Sequence, residues 1–156
     1  MYFKMELLTS RRAAYFLRKS IGTSDVEEFW AIALNPMCKI IKSVMLFRGT
    51  VDTCFIHPRD VYRFALSANA SSILVGHNHP SGICEPSQAD EELTKSLRQS
   101  GALLQIPLVD HVIITNRKYF SFAESRWPAD GSVQGLQSHR EKWLLRSPLR
   151  LDYRLD

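Results

Sequence analysis

The chain has 156 residues, enough for one domain with a real core, and its 45% hydrophobic and 23% charged composition is that of a globular protein. The net charge of +4 sits in the two ends, because the first twenty residues hold five basic side chains against one acid while residues 21–136 are slightly acidic. No window approaches the roughly 18 uninterrupted apolar residues of a membrane span, no apolar secretory segment follows Met1, and no basic stripe threaded with aromatics marks a nucleic-acid groove. The expected location is therefore the cytoplasm, away from any membrane. Cys38, Cys54 and Cys84 are too scattered for a disulfide framework or a CxxC knuckle, so reduced thiols are expected.

Thr9 to Ile21 has helical spacing, with Ala14, Phe16 and Leu17 near one side, Ser10 placed to cap it and Gly22-Thr-Ser to end it. Glu27 to Leu34 reads as a strand with Glu27, Phe29, Ala31 and Ala33 on one face and Glu28, Trp30, Ile32 and Leu34 on the other. Across the Asn35-Pro36 turn, Lys39 to Phe47 completes an antiparallel hairpin. Val51 to Ile56 makes another short strand, and Pro58 stands at the first turn of a helix from Val61 to Ala70. Ser72 to Val75 is a short apolar run, the mark of a strand covered on both faces. A helix from Ser87 to Ser100, a break at Gly101, a strand from Leu108 to Thr115 and a turn into Tyr119 to Phe122 complete the pattern. Strands and helices alternate only in part, which predicts a mixed sheet flanked by helices, α/β or α+β. Residues 1–22 are expected as an N-terminal helix, 23–127 as the domain, and 128–156 as a basic tail.

The chemistry concentrates between Ile73 and Asp90. His77 and His79 follow the buried strand at alternate positions, so their imidazoles share a face. Pro80 forbids helix at His79 and Ser81-Gly82 turns the chain back. Ser87 then caps a helix whose capping-box acid is Asp90. Two imidazoles and a carboxylate from one strand-loop-helix unit suit a catalytic zinc ion, with the fourth position left to water. Cys84 lies on the loop between these ligands, but nothing in its spacing requires it to join them.

His77-x-His79, seven residues, then Ser87-x-x-Asp90 matches the JAMM signature of the MPN or JAB metalloprotease superfamily, and His-Asn-His-Pro-Ser-Gly resembles its RadC branch. Glu27 to Asn35, Ile56 to Val61, Ile106 to Ile114 and Tyr119 to Glu124 resemble further family segments, so that the likeness covers about residues 8 to 127. It implies the MPN fold, related to cytidine deaminases, and a zinc-dependent hydrolase of peptide or isopeptide bonds. It also implies Glu27 as general base and then acid, and Ser87 as a donor to the oxyanion. The residues alone leave Glu27 and Glu28 equal. His57, Asp110 and His111 match family positions too, with Asp110 or His111 placed to support the metal shell.

The RadC resemblance carries an association with DNA repair. The chain is expected as a standalone form, lacking the helix-hairpin-helix segment of full-length relatives and akin to versions in mobile elements. The alternative is a non-catalytic, zinc-stabilised module that binds DNA or a protein. A zinc deaminase expects His-x-Glu with a later Pro-Cys-x-x-Cys, whereas His77-Asn-His79 and no CxxC stand here. Composition sets neither the peptide or protein substrate nor the oligomeric state.

Overall fold

Period-two alternation in Glu27–Leu34 produces strand β1 and divides the core in two. Phe29, Ala31 and Ala33 join Val61, Phe64, Val75 and Leu97 in one apolar cluster, while Ile32 and Leu34 join Ala13, Phe16, Leu17, Leu74 and Val112 in the other. The computed structural model describes residues 9–49 and 56–125. Around β1 it places helix α1 (Ser10–Ile21), strand β2 (Ile40–Gly49), helix α2 (Pro58–Ser67) and strand β3 (Ser72–Asn78). Helix α3 (Gln88–Leu104), strands β4 (Leu108–Ile114) and β5 (Tyr119–Ser121), and a short helix α4 (Phe122–Ser125) follow.

The sheet order is β2-β1-β3-β4-β5, with only β3 and β4 parallel. This is the mixed sheet flanked by helices that the sequence predicts, in α+β form. A parallel pair needs a crossover, and α3 supplies it, so its first turn begins beside the carboxyl end of β3. That end of the sheet is where open α/β folds bind ligands.

Three expectations change. The cap of α1 is Thr9, whose hydroxyl accepts the amide of Arg12, while Ser10 turns inward and is fully buried. Helix α2 starts at Pro58 and ends at Ser67. Helix α3 runs through Gly101 to Leu104. Glycine stands there because a Cβ would fall 2.6 Å from the Ile106 carbonyl oxygen and against the Tyr62 hydroxyl, which donates to the Leu97 carbonyl. Gly76 has a similar cause, since a Cβ would meet the Val112 carbonyl oxygen at 2.8 Å and the Leu17 side chain, so its absence lets α1 settle on the sheet. The proposed strand Val51 to Ile56 and tail 128–156 fall largely or wholly outside the described residues.

Asp110 is fully buried at the foot of α1. One carboxylate oxygen accepts from the hydroxyls of Ser10 (2.9 Å) and Ser121 (2.7 Å), and the other from the Ala123 amide (3.0 Å). The network joins α1, β4, β5 and α4, far from the role of metal support. Burial pushes the Asp110 carboxyl up to about 7, although the three donors favour the charged form. A carboxyl raised above its unfolded value of 3.8 contributes stability that is complete below that value and is lost as pH rises through about 7. Asp110→Asn removes the charge, so urea unfolding should show the wild type losing on the order of 2–4 kcal/mol more than the variant between pH 4 and 8. Parallel pH profiles for the two proteins would refute this.

Candidate metal centre

His77 is the penultimate residue of the wholly buried β3, with a side chain 1% exposed. Strand pairing sets it opposite Phe29, whose ring stacks on it at 6.0 Å between centroids. His79 lies just beyond the strand and is held to β4 by its amide, which donates to the Ile114 carbonyl at 2.9 Å. Its Nδ1 stands 2.7 Å from the Ile83 carbonyl. A carbonyl only accepts, so Nδ1 carries the proton and Nε2 is the atom His79 offers to a metal.

Asp90 arrives from α3, oriented by the capping box the sequence predicts. The Ser87 hydroxyl accepts the Asp90 amide at 3.1 Å, and the Ser87 amide donates to Asp90 Oδ2 at 2.7 Å. The Ser87 hydroxyl also donates to that oxygen, at 2.7 Å. Asp90 Oδ1 is thereby turned to within 3.2 Å of His77 Nε2, and Oδ2 lies 3.5 Å from His79 Nε2. The two imidazole Nε2 atoms are 2.9 Å apart. His77, His79 and Asp90 are the one group of three among the described residues whose ligand atoms could hold a metal together. Bonds of about 2.0–2.2 Å in a tetrahedral zinc site put ligand atoms roughly 3.3 Å apart, so the donor set and its spacing fit that ion.

Electrostatics follow from this crowding. Burial works against the Asp90 charge, yet bonds to His77, His79 and Ser87 hold its carboxyl well below the usual range. Burial likewise opposes protonation of His79, but Asp90 raises its pKa on balance. Glu27 opens β1 on the face of Phe29, and its Oε1 lies 3.9 Å from His77 Nε2. Burial raises the Glu27 carboxyl above its ordinary value. Glu28 points to the other face, where it accepts from Trp30 Nε1 (3.2 Å) and pairs with Arg48 (3.5 Å).

Three further side chains support this arrangement. Asn78 turns away from the ligands, as expected of a regular strand, and grips the approach to β1: its Oδ1 accepts the Glu28 amide (2.8 Å) and its Nδ2 donates to the Val26 carbonyl (3.0 Å). His111 Nε2 lies 2.9 Å from His77 Nδ1, and its own Nδ1 is 2.6 Å from the Thr94 hydroxyl. His111 is fully buried, which holds its pKa well below that of a free imidazole. Of the pair Asp110 and His111, only His111 faces the centre. Thr94 was not singled out by sequence, although a signal existed: with Asp90 it is a polar residue on the buried stripe of α3 that continues to Leu97 and Gly101.

Cys84 stands apart, its Sγ 3.6 Å from the Ile113 carbonyl, and burial raises its thiol to about 11. His57 precedes α2 as its N-cap without a side-chain capping bond. The centre opens on a cleft of about 740 Å³ with apolar walls from Val26, Phe29, Ile56 and Leu93. Asp25, Glu27, Glu85, Asp90 and Glu92 also line it, and no lysine or arginine does among the described residues. No described helix is long and apolar enough to cross a membrane.

Residues 7–127 match the RadC-like JAB domain. A UPF0758 protein of Saccharophagus degradans is 39% identical over 124 residues, covering 80% of this chain and 55% of that protein. UPF0758 proteins of Shewanella baltica and Shewanella oneidensis are each 38% identical over 112 residues, covering 72% of this chain and 50% of theirs. The chain spans about half the length of the curated relatives it matches. With its five-stranded mixed sheet and a matched region that contains every residue of the centre, the chain belongs to the RadC-like JAB domain family.

Proposed function

We propose that this domain is a zinc-dependent hydrolase of peptide or isopeptide bonds. The observation that carries the reading is the convergence of His77, His79 and Asp90 beside the half-buried Glu27 carboxylate on the wall of an open cleft. Zinc bound by the three ligands would lower the pKa of a coordinated water from 15.7 to about 7 and polarise the scissile carbonyl.

The chain's own residues do the rest. Glu27, with its proton affinity raised by burial, takes a proton from the attacking water and returns it to the leaving amine. Ser87 can cap α3 and still serve the reaction, because the cap uses an oxygen lone pair while the proton now given to Asp90 can swing to the substrate oxyanion. Val26 and Leu93 offer apolar contact to a polypeptide, and the exposed carboxylates of Asp25, Glu85 and Glu92 repel a phosphodiester backbone from the cleft. Any DNA-linked role therefore belongs to another surface or to a partner.

Protein purified without chelator should contain about one zinc ion per chain by elemental mass spectrometry, in keeping with a mononuclear site. Cleavage of peptide and isopeptide libraries should stop with chelator and return with zinc. Failure to bind zinc even after its addition would end the hydrolase reading.

A further inference from the structure

Three hydrogen bonds link one ligand of the centre to the backbone of another. They run from His77 Nδ1 to His111 Nε2 at 2.9 Å, from His111 Nδ1 to Thr94 Oγ1 at 2.6 Å, and from Thr94 Oγ1 to the Asp90 carbonyl at 2.6 Å. All four residues are buried. Their protons can be counted from the far end. A carbonyl only accepts, so the single hydroxyl proton of Thr94 goes to Asp90. The Thr94 oxygen must then accept from His111, which places a proton on His111 Nδ1. Full burial favours the neutral ring of His111, whose Nε2 is then bare and accepts from His77 Nδ1. A neutral His77 that gives its Nδ1 proton to His111 keeps a bare Nε2, the atom that stands 3.2 Å from Asp90 and 2.9 Å from His79.

We infer that Thr94 and His111 are positioning residues that hold His77 in its metal-ligating tautomer, with the proton on Nδ1 and the lone pair of Nε2 turned to the centre. The opposite proton order leaves the Thr94 oxygen 2.6 Å from the Asp90 carbonyl with no proton between them. Such a contact is costly when buried. The same chain ties β3, β4 and α3 together, so the ligand from the strand and the ligand from the helix are fixed by one set of bonds. The inference rests on the proposed zinc site for its consequence but not for its proton count.

Histidine-selective ¹⁵N labelling and two-bond ¹H–¹⁵N correlation spectra of the metal-free protein test the count directly. His111 should be protonated at Nδ1 and bare at Nε2; a proton on Nε2 overturns the inference without any zinc experiment. Thr94→Val removes the acceptor for His111 Nδ1 and should shift His111 towards the other tautomer. Its zinc affinity, measured by competition with a chromophoric chelator, should fall about tenfold or more. Thr94→Ser keeps the hydroxyl and should retain both the tautomer and the affinity. Wild-type affinity with an unshifted tautomer in Thr94→Val would also overturn it. If the wild type took up no zinc while His111 remained protonated at Nδ1, the zinc reading would fail and the positioning chain would stand.

Discussion

Glu27→Gln should bind zinc as the wild type does and lose hydrolysis by about 10²–10⁴-fold, the range over which a positioned general base acts. Gln has the shape of Glu but cannot accept the proton of the attacking water. It is also the residue of the centre whose loss should least disturb the metal, because Glu27 stands 3.9 Å from His77 Nε2 and outside the group of three ligands. Glu28→Gln is the matched control. Its carboxylate lies on the opposite face of β1, bound to Trp30 and Arg48, so its activity should stay near wild type. A chelator-sensitive cleavage assay with zinc content measured on the same samples separates the outcomes. Full activity in Glu27→Gln would remove Glu27 from the mechanism, and lost zinc would make it a ligand.

The sequence makes the local parts of this centre legible and obscures those that depend on pairing at a distance. The Ser87 and Asp90 cap could be read because every bond in it lies within one helical turn. The face of Glu27 was equally clear relative to Phe29, yet only the pairing of Phe29 with His77 shows that this face is the one that meets the ligands. Asp110 and His111 are adjacent buried polar residues on opposite faces of β4. The parallel register that sets His111 opposite Val75 turns one towards His77 and leaves the other to α1. Gly101 misled for the same reason in reverse. Its local meaning is a break, whereas its cause is the Tyr62 hydroxyl and the Ile106 carbonyl, brought from elsewhere in the fold.

Asp90→Ala should abolish zinc binding and also weaken the fold before any metal is added. Its carboxylate is a proposed ligand and, through Oδ2, the acceptor of the Ser87 amide that completes the cap of α3. Removing that acceptor should cost about 1 kcal/mol, the usual worth of a helix cap. Asp90→Asn separates the two roles, because its amide oxygen can still accept from Ser87 while offering zinc no anionic ligand. Urea unfolding without metal should therefore rank the wild type and Asp90→Asn above Asp90→Ala by about that amount. Zinc at 100 times its dissociation constant should then stabilise the wild type alone, by about 2.7 kcal/mol. Zinc-dependent stabilisation of either variant would mean that His77 and His79 hold the metal without Asp90. If neither variant responds to zinc and only Asp90→Ala is weakened in its absence, one side chain both caps the helix and ligates the metal, so α3 must form its first turn for the centre to exist.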